Sequence, residues 1–62
     1  MSDYKVVGLE DRSTVVQAGY PLAAAEQVHD ITWGDRITVQ NVETGTVCLV
    51  DFDLVKTWKE II

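Results

Sequence analysis

The sequence predicts a small α+β domain in two layers, a ββαββ antiparallel sheet with a C-terminal amphipathic helix. Short runs rich in β-branched residues occur as two pairs, and a short polar turn joins the members of each pair. An alanine-rich segment with helical spacing separates the pairs, and an amphipathic segment follows the second pair. Residues 1–62 are therefore predicted to form one domain, and a domain of this size has a narrow margin of stability.

The first pair of runs predicts an antiparallel hairpin. YKVVGL, residues 4–9, and TVVQAG, residues 14–19, are short and rich in β-branched residues. The polar stretch between them is short enough to make direct antiparallel pairing the expected arrangement.

The segment after this hairpin predicts a helix that begins at Pro21, because proline suits the first helical position. Its end is expected at Ile31 or Thr32, before Gly34, which favours a left-handed stop. A narrow apolar stripe at helical spacing would face the sheet, and it consists of Leu22, Ala24, Ala25 and Val28.

A second hairpin and a final helix complete the prediction. RITVQNV, residues 36–42, alternates between apolar and polar residues, while TVCLVDF, residues 46–52, is almost continuously apolar and so is expected to be more central. The turn between them contains Gly45, which supplies a positive φ. Asp53 is expected to cap a helix over residues 54–62. The apolar stripe of that helix would consist of Leu54, Val55, Trp58, Ile61 and Ile62.

Two stretches carry a resemblance to known proteins. GYPLAAAEQV, residues 19–28, and ITVQNVETGTV, residues 37–47, resemble very small phage and bacterial accessory proteins of ββαββ type. The two stretches cover about a third of the chain. GDRITV, residues 34–39, is similar to a strand opening in SH3-like barrels, but the predicted central helix argues against that fold.

Composition narrows the range of functions. Ten acids against five bases give a net charge of −5, which argues against direct binding to a nucleic acid. The sequence contains neither a long apolar run nor a signal-peptide pattern, so no membrane association is expected. A single cysteine excludes an internal disulfide and fits a cytoplasmic protein.

Cys48 is the one candidate nucleophile, with His29 as a base and Asp30 or Asp51 to orient it. Its position in the middle of an apolar strand instead favours a packing role, so the chain is predicted not to be an enzyme. Asp51 and Asp53 could bind a cation. The expected arrangement is instead that Asp51 faces solvent and Asp53 caps the following helix. No metal and no cofactor are predicted.

The strongest functional signal is an uncovered sheet face. If both helices cover the same face, one set of side chains of the last strand lies outside the core. That set is either Val47 and Leu49 or the alternating set Cys48, Val50 and Phe52. This surplus predicts a non-enzymatic protein–protein interaction module, a cytoplasmic accessory or inhibitor protein of phage type that binds a protein partner or a second copy of itself. The predicted partner-binding residues are Trp33, Asp35, Glu43, Val47, Leu49 and Asp51.

Two alternatives remain open. Glu26 and Asp30 lie one helical turn apart, and further acids follow in the second hairpin, so the chain could be an acidic DNA mimic that inhibits a nucleic-acid enzyme. The other alternative is a small ligand-binding or enzymatic domain formed at a homodimer interface.

Overall fold

Five antiparallel strands form one sheet in the computed structural model, which describes residues 1–30, 32–53 and 56–61. One α-helix, α1, stands between the second and third strands of this described part of the chain, and a short 3₁₀ turn, Leu9–Asp11, joins the first two strands. The order across the sheet is β2-β1-β3-β4-β5. The elements are β1 (Ser2–Val7), β2 (Ser13–Ala18), α1 (Pro21–Val28), β3 (Arg36–Asn41), β4 (Val47–Asp51) and β5 (Thr57–Glu60).

Both predicted hairpins are confirmed. β1 pairs with β2 across a tight turn in which Glu10 and Asp11 have φ values of 57° and 59°. Two consecutive positive φ values match the right-handed twist of the flanking strands. In the β3–β4 hairpin Gly45 has φ of 80°, as its position in the sequence predicts.

Helix α1 begins at Pro21 as predicted but ends at Val28, earlier than expected. His29 leaves the helical region with ψ of 122°. The Asp30 side chain then accepts a hydrogen bond of 2.8 Å from the Thr32 backbone N–H, a local turn that competes with continued helix. The Thr32 hydroxyl also donates to this carboxylate, and these bonds hold the Asp30 pKa below its usual value. Ile31 lies outside the described residues.

The predicted C-terminal helix, and with it the ββαββ fold with a helix at its end, is wrong. Residues Thr57–Glu60 form a fifth strand, β5, antiparallel to β4, with Trp58 opposite Val50. The unpaired backbone of β4 supplies hydrogen-bond partners that no isolated segment offers, and threonine and tryptophan suit a strand. The Trp58 ring stacks on Tyr20 with centroids 5.6 Å apart, so β5 contacts the start of α1.

Asp53 therefore caps no helix. Its backbone N–H donates a hydrogen bond of 2.8 Å to the Asp51 side chain in the turn after β4. Leu54, Val55 and Ile62, which belong to the predicted apolar stripe, lie outside the described residues.

The core lies between α1 and one face of the sheet. Ala24 and Ala25 are fully buried, and their small side chains let the helix approach the sheet closely. Opposite them, the alternation of each strand places one set of side chains inward, and its fully buried members are Val6, Ile37, Val39 and Val50. The arrangement is thus a small α+β structure with one helical layer. Among the described residues no helix combines the length and the apolar character required to cross a membrane.

Candidate functional site: the open face of the sheet

No described element packs on the face of the sheet opposite α1. Because side chains alternate along a strand, each residue next to a core residue points to this side. This open face consists of Asp3, Lys5 and Val7 of β1, Ser13, Val15 and Gln17 of β2, Arg36, Thr38 and Gln40 of β3, Val47, Leu49 and Asp51 of β4, and Thr57 and Lys59 of β5.

The strand register places four apolar side chains of the open face in two rows, in which polar and charged side chains are interspersed with them. In the first row Val15 lies beside Lys5, Lys5 beside Gln40, and Gln40 beside Val47. The second row runs through Val7, Thr38, Leu49 and Lys59. Val15 is 60% exposed, whereas Val7, Val47 and Leu49 are half-buried. The face therefore offers apolar side chains that water still reaches, set among the polar residues of the central strand β3.

The charge of the open face differs from that of the rest of the chain. Lys5, Arg36 and Lys59 face it together with only two acids, Asp3 and Asp51. The other residues carry eight acids and two cations, since the chain has ten acids and five bases in total. The open face is thus weakly positive on a strongly acidic molecule.

One end of the open face forms a cleft of about 440 Å³ across β3, β4 and β5. Leu49 gives it apolar surface, Arg36 and Lys59 give it positive charge, and Thr57 and Trp58 of β5 complete its lining. Asp51 also lines the cleft, with its Oδ2 atom 3.6 Å from Arg36 Nε. Both groups of this pair are partly exposed, so the pair orients Arg36 more than it stabilises the fold.

The structure brings three of the six predicted partner-binding residues together. Val47, Leu49 and Asp51 all lie on the open face through their strand positions. Between them Cys48 and Val50 point into the core. Of the two sets of side chains that the sequence left open, Val47 and Leu49 are therefore the set outside the core.

The other three predicted residues lie elsewhere. Trp33 is half-buried and packs against the core from the loop before β3. Asp35 lies in the same loop with Oδ1 3.5 Å from His29 Nε2, and Glu43 is exposed in the β3–β4 turn.

Sequence reasoning missed the three cations of the open face. They come from three different strands, and only the register places them on one side. The alternation of Arg36 with Ile37 was the one local signal, and it gave no indication that Lys5 and Lys59 share that face. The wrong helix over residues 54–62 removed Lys59 from the sheet altogether.

Cys48 is a packing residue in this geometry. It lies on the core side of β4 and is 5% exposed. Burial raises the pKa of its thiol, and the negative charge of Glu60, opposite it on β5, raises that pKa further. The candidate base His29 instead stacks on Phe52 with ring centroids 3.9 Å apart. In the described part of the chain no three histidine, cysteine or acidic residues are grouped so as to hold a metal ion.

We expect iodoacetamide to label Cys48 in the folded protein at least about tenfold more slowly than in the urea-unfolded chain, because labelling requires β4 to open. The rate should keep rising with pH above the ordinary thiol range, because burial raises the pKa and only the thiolate reacts. The unfolded chain at each pH is the control. Equal or faster labelling of the folded protein would contradict a packing role and favour the nucleophile interpretation.

No protein-family model matches this chain, and neither a curated protein nor a solved structure matches it. The resemblance to small phage and bacterial accessory proteins therefore stays a prediction. What the chain does has to be inferred from the geometry of the open face.

Proposed function

We propose that this chain is a non-enzymatic protein-interaction module, an accessory or inhibitor protein of the cytoplasm, and that its open face binds an acidic protein surface with apolar residues. The observation that carries this proposal is a weakly positive sheet face with four exposed or half-buried apolar side chains on an otherwise acidic molecule. Lys5, Arg36 and Lys59 flank Val47 and Leu49 on that face. The proposal includes no catalytic step.

Apolar burial would supply most of the binding free energy. Covering apolar surface contributes roughly 25 cal/mol for each Å² removed from water. Val15, Val47 and Leu49 are held on rigid strands, so a partner would order few side chains on this face. The half-buried state of Val47 and Leu49 supports a flat contact with a partner surface.

The charges would set orientation and selectivity. Three cations interspersed with the apolar side chains favour a partner with carboxylates at matching positions, and they repel a basic surface. Two acids on the same face leave too little net positive charge for a phosphate backbone, whose binding needs clustered lysine and arginine. An acidic protein surface therefore fits better than a nucleic acid.

The test compares capture by the unaltered protein with capture by Leu49→Glu. The substitution places a negative charge on the open face between Thr38 and Lys59, and we expect it to lower the recovery of the specific partner at least about tenfold. Thr44→Glu is the matched control, because it adds the same charge in the exposed β3–β4 turn. Circular dichroism of both variants checks that the fold is retained. Equal recovery of every captured protein by both variants would contradict the proposal.

Zero-length carbodiimide cross-linking then locates the contact. We expect cross-links from Lys5 and Lys59 to carboxylates of the captured partner. Lys56 is an internal control, because its ammonium group lies 3.2 Å from Glu26 of α1, away from the open face. Cross-links that instead join acids of this chain to partner lysines would overturn the proposal in favour of the acidic DNA-mimic alternative.

A further inference from the structure

Strand β2 is an edge of the sheet without the usual protection against pairing. Its six residues, STVVQA, include no charged residue, no proline and no glycine. Natural edge strands are commonly short, charged or interrupted, because an open edge pairs readily with another chain. The opposite edge, β5, has four residues and carries Lys59 and Glu60. The two edges of this sheet therefore differ in how readily they can accept another strand.

The register shows which backbone groups of β2 point away from the sheet. Gly8 N–H donates to the Arg12 carbonyl at 2.8 Å, and hydrogen-bonded pairs alternate from there along the β1–β2 ladder. Thr14 and Val16 therefore direct their N–H and C=O groups to β1. Val15 directs its N–H and C=O groups away from β1, out of the edge of the sheet. Ser13 and Gln17 do the same on either side of it.

We propose that two copies of this chain associate by antiparallel pairing of their β2 strands around a two-fold axis at Val15. In this arrangement Val15 lies opposite the same residue of the second copy, and the two residues exchange both backbone hydrogen bonds. Ser13 lies opposite Gln17 of the second copy on each side of the axis. The product is one continuous sheet of ten strands.

The strand is complementary to itself in side chains as well as in backbone. On the open face the pairing places Val15, which is 60% exposed, against the same residue of the second copy. On the core side Thr14 lies next to Val16 of the second copy, and β-branched cross-strand pairs stabilise a sheet. No charged side chain belongs to β2, so the junction brings no like charges directly together.

Two further observations fit a second copy as the occupant of this edge. Pairing through β2 leaves the two β5 strands as the outer edges of the described sheet, and both carry charged residues. The Gln17 carbonyl already accepts a bond of 2.7 Å from Gln27 Nε2, but a carbonyl oxygen has two lone pairs and can accept a second N–H. A closed two-fold pair of this kind cannot grow into a filament.

Sedimentation equilibrium of the purified protein tests the proposal. We expect the apparent mass to rise from the monomer value of 6.9 kDa toward twice that value as concentration increases from about 10 µM to about 1 mM, because a two-strand contact is small. Val15→Lys should hold the mass at the monomer value, since it places two ammonium groups opposite each other. Val42→Lys is the matched control, because Val42 is 55% exposed and lies outside β2. A monomer at every concentration, or a Val15→Lys protein that still dimerises, would overturn the proposal.

Amide hydrogen exchange provides a second measurement that needs no variant. The Val15 amide should exchange more slowly as the protein concentration rises, while the Val16 amide should be protected at every concentration by its bond to β1. Exchange at Val15 that does not change with concentration would also overturn the proposal. Neither experiment involves a binding partner, so a monomeric result would leave the proposed function of the open face unaffected.

Discussion

Replacing Ile37 by alanine is expected to lower the free energy of unfolding by about 3 kcal/mol. Ile37 is fully buried, and it is the largest of the fully buried side chains in the described part of the chain. It lies on β3, in the middle of the sheet and next to Val50 of β4. The smaller side chain loses apolar burial and leaves a cavity between the sheet and α1. A protein of this size has a total stability of roughly 3–9 kcal/mol, so the substitution should remove between about a third and all of it.

Urea unfolding followed by tryptophan fluorescence measures this loss, because Trp33 packs against the core. Thr38→Ala is the matched control. Thr38 is the next residue of β3 and points to the open face. Its replacement by alanine should therefore lower the free energy of unfolding by at most about 1 kcal/mol. A loss at Thr38 as large as the loss at Ile37 would contradict the assignment of the two faces.

The strands of both hairpins were predictable because their information is local. The alternation in residues 36–42 and the glycine at position 45 specify a strand and a turn without any distant partner. β4 was harder, because a run that is apolar at nearly every position does not say which side chains face inward. That choice depends on the contact of Cys48 and Val50 with β3 and α1, which only the folded chain provides.

The C-terminal segment was mispredicted because its residues suit two structures. Trp58 and Ile61 are spaced as on a helical face, yet Thr57 and Trp58 also favour a strand. The edge of β4 decides between the two structures. A strand paired there satisfies the outward N–H and C=O groups of β4, which a C-terminal helix would leave without partners. A prediction from local periodicity has no access to that edge, and the same error hid Lys59 from the open face.

Trp33 shows a different limit of the sequence. Its loop position suggested an exposed anchor for a partner, but the indole packs against the core beside Gly8. Nothing in the residues around Trp33 specifies this contact. It arises because the β1–β2 turn and the loop before β3 meet at the same end of the sheet, where Leu9 N–H donates to the Trp33 carbonyl at 3.1 Å.

That meeting point makes Gly8→Ala the second substitution with a large expected effect, a loss of roughly 2 kcal/mol in the free energy of unfolding. A Cβ atom at position 8 would lie 2.5 Å from Trp33 Cε3 and 2.9 Å from the Trp33 carbonyl oxygen. The φ of Gly8 is −115°, which any residue accepts, so the cost is steric. The indole cannot move away freely because it packs on the core, and the carbonyl is held by Leu9.

Gly19→Ala provides the comparison that isolates this contact. A Cβ atom at Gly19 would meet nothing within 4 Å, so the same change there should be neutral or should stabilise by about 0.5 kcal/mol through the unfolded chain. Urea unfolding gives both free energies, and a red shift of the folded-state emission of Gly8→Ala would report displacement of Trp33. Equal stability of the two variants would mean that Trp33 does not pack on Gly8. The loop would then be free to present its indole to a partner, as the sequence alone suggested.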